Sequence, residues 1–182
     1  MMRAAAVRTL AAGGALLAAW ATAAAEPALL RVGQAAWAEK AWPFPRDGWP
    51  PGRAFACEGC GDDLVVYVRP KLGFCNCATG VTDDAEVDGV TDLDLIAPTF
   101  RPAGPGAPIR IGALPGRARR YVMETPDGPR SAVGVAVSQR CDVVVAVALS
   151  RRPVGDDALG LAVALLESEA PMGWIRQALD HP

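Results

Sequence analysis

Val143–Leu149 reads V-V-V-A-V-A-L, seven residues with no polar side chain in either register. A strand with one wet face alternates apolar and polar positions. A run apolar in both registers therefore predicts a central strand covered on both sides. Just upstream, Ala132–Ser138 is a second β-rich run, and the polar pair Gln139–Arg140 between the two predicts a tight hairpin.

Beyond Ser150 the pattern changes to helix. Asp156 or Asp157 can cap a segment from Ala158 to Glu167, in which Leu159, Leu161, Val163, Leu165 and Leu166 are apolar almost all round, so it should be buried. Pro171 then opens a last turn or two, with Trp174, Ile175, Ala178 and Leu179 on one face. Toward the N-terminus, Arg119–Glu124 and Ile109–Ile111 flank a glycine-bearing turn at Leu114–Gly116, and Asp94–Ile96 is a short strand candidate. Leu64–Arg69 (L-V-V-Y-V-R) is a β-branched and aromatic strand. Pro70–Gly73 is turn chemistry, Phe74–Cys77 begins a returning strand, and Arg53–Ala56 is a short strand. An antiparallel sheet with a buried C-terminal helix packed on one face is an α+β domain, assigned to residues 53–182.

Glu26–Gly52 differs in composition. Trp37, Trp42 and Trp49 are interleaved with Pro43, Pro45, Pro50 and Pro51, and proline removes donors from a sheet ladder. The segment predicts an extended, strand-poor arm, with room for a short helix in Pro27–Glu39. Residues 1–25 have the form of a cleavable secretory signal. Arg3 and Arg8 form a positive start, Thr9–Ala21 an alanine- and leucine-rich apolar run, and Ala23 and Ala25 the small residues of a cleavage site. The run is too short and too alanine-rich to read as a spanning anchor. The order of elements over Leu64–Leu179 resembles that of the small exported PsbP-like α+β domains. That resemblance implies accessory or binding roles in an exported, periplasmic setting.

Without residues 1–25 the chain keeps 16 of its 18 basic residues, having lost Arg3 and Arg8, against 20 acidic ones, a formal charge of −4. No basic stretch stands out beyond Arg117, Arg119 and Arg120, so nucleic acid is not the expected partner. The expected partner is another periplasmic protein or a small ligand, with no membrane span after signal cleavage. The single histidine, His181, sits one residue from the end. That removes Ser-His, Cys-His and His-metal catalysis, and no phosphate-binding glycine loop is present.

Cysteine is the concentrated chemistry: Cys57, Cys60, Cys75, Cys77 and Cys141. Haem attachment needs histidine after C-x-x-C, and here the residue is Gly61. A thioredoxin-type dithiol needs a helix starting at the motif, whereas Gly61, Asp62 and Asp63 lead into a strand. Export favours disulfides. The competing reading is a Cys57/Cys60/Cys75/Cys77 thiolate site for zinc or copper in a metal-handling protein. A thiol oxidoreductase using one of the pairs ranks third. Cys57 and Cys60 can close locally, Cys77 can just reach that pair, and Cys141 could accept the remaining partner.

The string from Asp84, D-A-E-V-D-G-V-T-D-L-D-L, partly matches an EF-hand loop, with Asp84, Glu86, Asp88 and Asp92 as candidate calcium ligands and Gly89 at the turn position. It departs at Thr91 and at Leu95, where the bidentate glutamate belongs. A solvated acidic loop is the preferred reading, with no cofactor required. Trp37, Trp42 and Trp49 can make a partner surface or, more simply, pack across the sheet.

Overall fold

The computed structural model describes residues 29–45, 47–73 and 77–180. The signal segment, Cys75, the start of the Phe74–Cys77 strand and His181 lie outside the described residues. The strands are β1 (Leu29–Val32), β2 (Ala35–Lys40), β3 (Arg53–Glu58), β4 (Val65–Lys71), β5 (Thr99–Pro102), β6 (Ala107–Ile111), β7 (Leu114–Thr125), β8 (Gly128–Gln139) and β9 (Asp142–Ser150). The helices are α1 (Asp84–Val90), α2 (Leu93–Ile96), α3 (Asp156–Glu167) and α4 (Glu169–Leu179). The strands form one antiparallel sheet in the order β1-β2-β3-β4-β9-β8-β7-β5, and β6 shares the outer side of β7 with β5. The protein is thus a sheet-dominated α+β structure with its C-terminal helices packed on the sheet.

β9 sits in the middle, and its two registers serve two cores. Val144, Ala146 and Ala148 pack with Val66, Val68, Val133, Val135 and Val137 beneath α3 and α4, through Leu165, Leu166 and Ile175. Val143, Val145 and Val147 pack on the opposite side with Val87 of α1 and Leu93 of α2. The second cover comes from the acidic segment, which is helical rather than a loop. Asp83 caps α1 by accepting from the Glu86 amide, and the Glu86 carboxylate accepts from the Asp83 amide in return, a capping box. Asp94–Ile96, read as strand, belongs to the single turn α2.

Three other expectations are corrected. The N-terminal arm is strand-poor only after Lys40, where Pro43, Pro45, Pro50 and Pro51 lie. Before that, β1 and β2 turn about Gly33 (φ 59°) and extend the sheet, so Pro27–Glu39 holds no helix among its described residues. β4 runs through Pro70 to Lys71, because β3 covers it only as far as Val68 and the proline meets a neighbour on one side alone. Leu114–Gly116 opens β7 instead of forming a turn. Gly116 is needed there because a Cβ would collide with the Ala136 carbonyl and Val137 on β8. Among the described residues no single helix is long and apolar enough to cross a membrane.

Candidate functional site

The face of β4 opposite the C-terminal helices carries Val65, Tyr67, Arg69 and Lys71 at alternate positions. Arg69 is only 1 % exposed. Its Nε and Nη2 donate to Asp92 at 2.9 and 2.6 Å, and its Nη1 and Nη2 donate to Asp47 at 2.8 Å each. Lys71 donates its Nζ to the Val90 carbonyl and to Asp92, both at 2.7 Å. The Trp42 ring lies 5.7 Å from the Arg69 guanidinium and the Trp49 ring 5.7 Å from the Lys71 ammonium. Two cations on one strand therefore latch two remote segments onto the sheet, the α1–α2 corner through Asp92 and the strap of residues 41–52 through Asp47. Burial works against the Arg69 charge, but its hydrogen bonds to Asp47 and Asp92 outweigh that and push its pKa up.

The strap presents aromatic side chains to β4. Phe44 and Tyr67 stack edge-to-face at 4.9 Å between ring centroids, Trp42 and Phe44 at 5.0 Å, and Trp42 and Tyr67 at 6.1 Å. Beside this cluster lies an open groove of about 290 Å³, floored by Val65, Tyr67 and Leu149 and walled by Phe44 and Ile96. Asp127 and Arg130 stand at its rim, and among the described residues neither is ion-paired. Burial pushes the Tyr67 phenol up, and the positive charge of Arg130 pulls it part of the way back. An apolar floor with a few convergent polar groups is the usual build of a small-ligand site.

No protein-family model matches the chain, and no curated protein matches it.

The three tryptophans are not one surface. Trp37 is fully buried in the core under the C-terminal helices, so it offers nothing to a partner; Trp42 and Trp49 cap the cations, and Trp49 stays 39 % exposed. The four candidate calcium ligands are also dispersed. Asp84 accepts from the Gly106 amide at 3.0 Å and from Arg117 Nε at 2.5 Å. Glu86 caps α1, Asp88 accepts from Arg119 at 2.5 Å and from the Tyr121 hydroxyl at 2.6 Å, and Asp92 is held by Arg69 and Lys71. A helical backbone splays these side chains onto separate partners along β4 and β7. No three acidic, histidine or cysteine side chains converge as a metal site among the described residues.

Acid should loosen this face. The Arg69 hydrogen bond holds the Asp47 carboxyl below its ordinary range, and the Gly106 amide and Arg117 do the same for Asp84. A carboxylate with a depressed folded-state pKa contributes fully above its unfolded value, about pH 4, and loses that contribution as pH falls through the folded value. Tryptophan emission should therefore shift as the strap detaches below about pH 4. Asp47→Asn should display part of that shift at neutral pH, whereas an unchanged spectrum would separate the strap from the latch.

Four of the five cysteines are paired, Cys57 with Cys60 and Cys77 with Cys141. The first closes the turn between β3 and β4. The second ties the segment before α1 to the β8–β9 turn across 64 residues. These sites lie at opposite ends of β4, since Val65 pairs with Leu149 and Lys71 with Val143. Seven strand residues separate them by about 20 Å. The Cys57/Cys60/Cys77 part of the proposed thiolate cluster is thereby dispersed, and Cys77 takes Cys141 rather than the first pair. Two disulfides fit an oxidising, non-cytoplasmic compartment.

Sequence reading missed Phe44, Tyr67, Arg69 and Arg130. A signal was present for two of them. Tyr67, Arg69 and Lys71 alternate along one strand, and a buried strand bearing two cations on one face must meet carboxylates there.

Proposed function

We propose that the protein is an exported, non-catalytic binding or accessory domain, directed to the periplasm or beyond by residues 1–25. Its ligand site is the groove between the strap and α2. The observation that carries this is the groove's construction: an aromatic wall fixed by a buried ion-pair latch, beside an Arg130 that has no ion-pair partner among the described residues. A structural strap needs no such unpaired cation. The ligand class that fits is a small molecule with a flat apolar body against Phe44 and Tyr67 and an anionic group for Arg130. The expected likeness to PsbP-like accessory domains belongs to the same reading.

The test uses a probe of that shape, 4-hydroxyphenylacetate, with the corresponding amide as a neutral control, both followed by calorimetric titration. The acid should saturate the wild-type protein, and the amide should bind roughly tenfold more weakly, the scale of one hydrogen bond to a charged group. Arg130→Gln should bring the acid down to the level of the amide without altering the melting temperature. Equal binding of acid and amide, or an unaffected Arg130→Gln, contradicts the assignment.

A further inference from the structure

The turn that carries Cys57 and Cys60 is held by bonds other than the disulfide. The Cys57 amide donates to the Leu64 carbonyl at 2.9 Å, and the Asp62 carbonyl accepts from the Arg151 amide at 2.9 Å and from the Ser150 hydroxyl at 3.3 Å. The side chains of Asp62 and Asp63 pair with Arg152 and Arg151 at 2.5 Å each. Those aspartates lie beside a C-x-x-C motif and would oppose a thiolate in isolation; here each is ion-paired with an arginine at the surface. Cys60 forms part of the wall of a hollow of about 290 Å³, with Leu64, Pro153, Ala158 and Leu161 supplying apolar surface. The start of α3 also borders it, through the cap residue Gly155 and through Asp157, whose carboxylate offsets part of the helix-end field. Both cysteines are partly buried against the main core, and of the two Cys60 lines the hollow.

We infer that Cys57–Cys60 is an exchangeable disulfide that accepts an electron pair from a peptide dithiol seated in this hollow. One peptide thiolate attacks Sγ of Cys60, forming a mixed disulfide as the Cys57–Cys60 bond breaks. Cys57 departs as a thiolate and takes a proton. The second peptide thiolate then attacks the peptide sulfur of the mixed disulfide and releases Cys60, which is also protonated. The peptide leaves oxidised by two electrons, and the Cys57–Cys60 pair holds them as two thiols. The hollow and the ligand groove share the β3–β4 turn but use alternate residues of it, Asp62 and Leu64 lining the hollow and Asp63 and Val65 the groove.

The experiment equilibrates the whole protein across glutathione buffers of graded reduced-to-oxidised ratio. Alkylation and peptide mapping then read each cysteine pair, while near-ultraviolet circular dichroism reports the fold. Cys57–Cys60 should open at ratios where the near-ultraviolet signal is intact. In parallel, with a single-cysteine peptide supplied as its mixed disulfide with glutathione, the free Cys60 of Cys57→Ser should displace glutathione and capture the peptide, and the free Cys57 of Cys60→Ser should capture it roughly tenfold more slowly, because access sets the exchange rate. Three results each overturn the inference: a Cys57–Cys60 bond that resists every ratio leaving the protein folded, equal rates of capture by the two variants, or a Cys57→Ser protein that cannot fold, since the turn would then depend on its bond.

Discussion

Arg69→Met is expected to lower the stability of the protein by about 3–5 kcal/mol, the usual consequence of removing one partner from a buried ion pair. Methionine fills the volume but leaves Asp92 inside the protein with Lys71 as its one remaining cation, and it leaves Asp47 with only the Trp49 amide of its own strap. The loss should therefore be accompanied by release of the strap, visible as a change in tryptophan emission before global unfolding begins. Arg69→Lys should recover only part of the loss. An ammonium cannot present the planar fork that meets Asp47 and Asp92 together. Urea denaturation of the two variants beside wild type gives the comparison. A loss below about 1 kcal/mol for Arg69→Met would place the latch among exposed ion pairs of little weight.

Removing the Cys77–Cys141 bond should cost about 4 kcal/mol, because it frees a 64-residue loop in the unfolded chain. The same chain-entropy argument gives about 2 kcal/mol for the three-residue separation of Cys57 and Cys60. The double variants Cys77→Ser/Cys141→Ser and Cys57→Ser/Cys60→Ser, unfolded by urea without reductant, should rank in that order. The reverse order would mean that the β3–β4 turn depends on its bond, and would weaken the case for an exchangeable disulfide at the same stroke.

Much of the architecture is legible in local sequence, because the local signals agree with the burial. V-V-V-A-V-A-L describes a strand covered on both faces, and β9 is covered by α3 and α4 on one side and by α1 and α2 on the other. The β8–β9 hairpin follows from the polar turn between two apolar runs. The arm is misread because composition was averaged over 27 residues, while four of its five prolines fall after Lys40 and leave β1 and β2 free to pair. The acidic segment is misread although its helix start was written in it: Asp83 and Glu86 stand three residues apart, the spacing of a capping box.

The candidate site is less legible for a physical reason. Arg69 meets Asp47 and Asp92 across 22 and 23 residues, and Arg130 reaches the groove from the start of β8, far from Phe44 and Tyr67 in the chain. Such meetings depend on strand order and register, and no period within a single segment encodes them. Cysteine pairing shares that property. The local Cys57–Cys60 closure is visible from spacing, whereas Cys77 with Cys141 requires knowing that the β8–β9 turn lies at the Lys71 end of β4.

The most direct measurement of the account as a whole is the intact mass of the protein recovered from outside the cytoplasm, with non-reducing peptide mapping after thiol alkylation. The account predicts a chain that begins at Glu26, carries the Cys57–Cys60 and Cys77–Cys141 bonds, and leaves a single cysteine open to alkylation. A chain that retains residues 1–25 inside the cell, or one with five alkylatable thiols and stoichiometric zinc or copper, would contradict it.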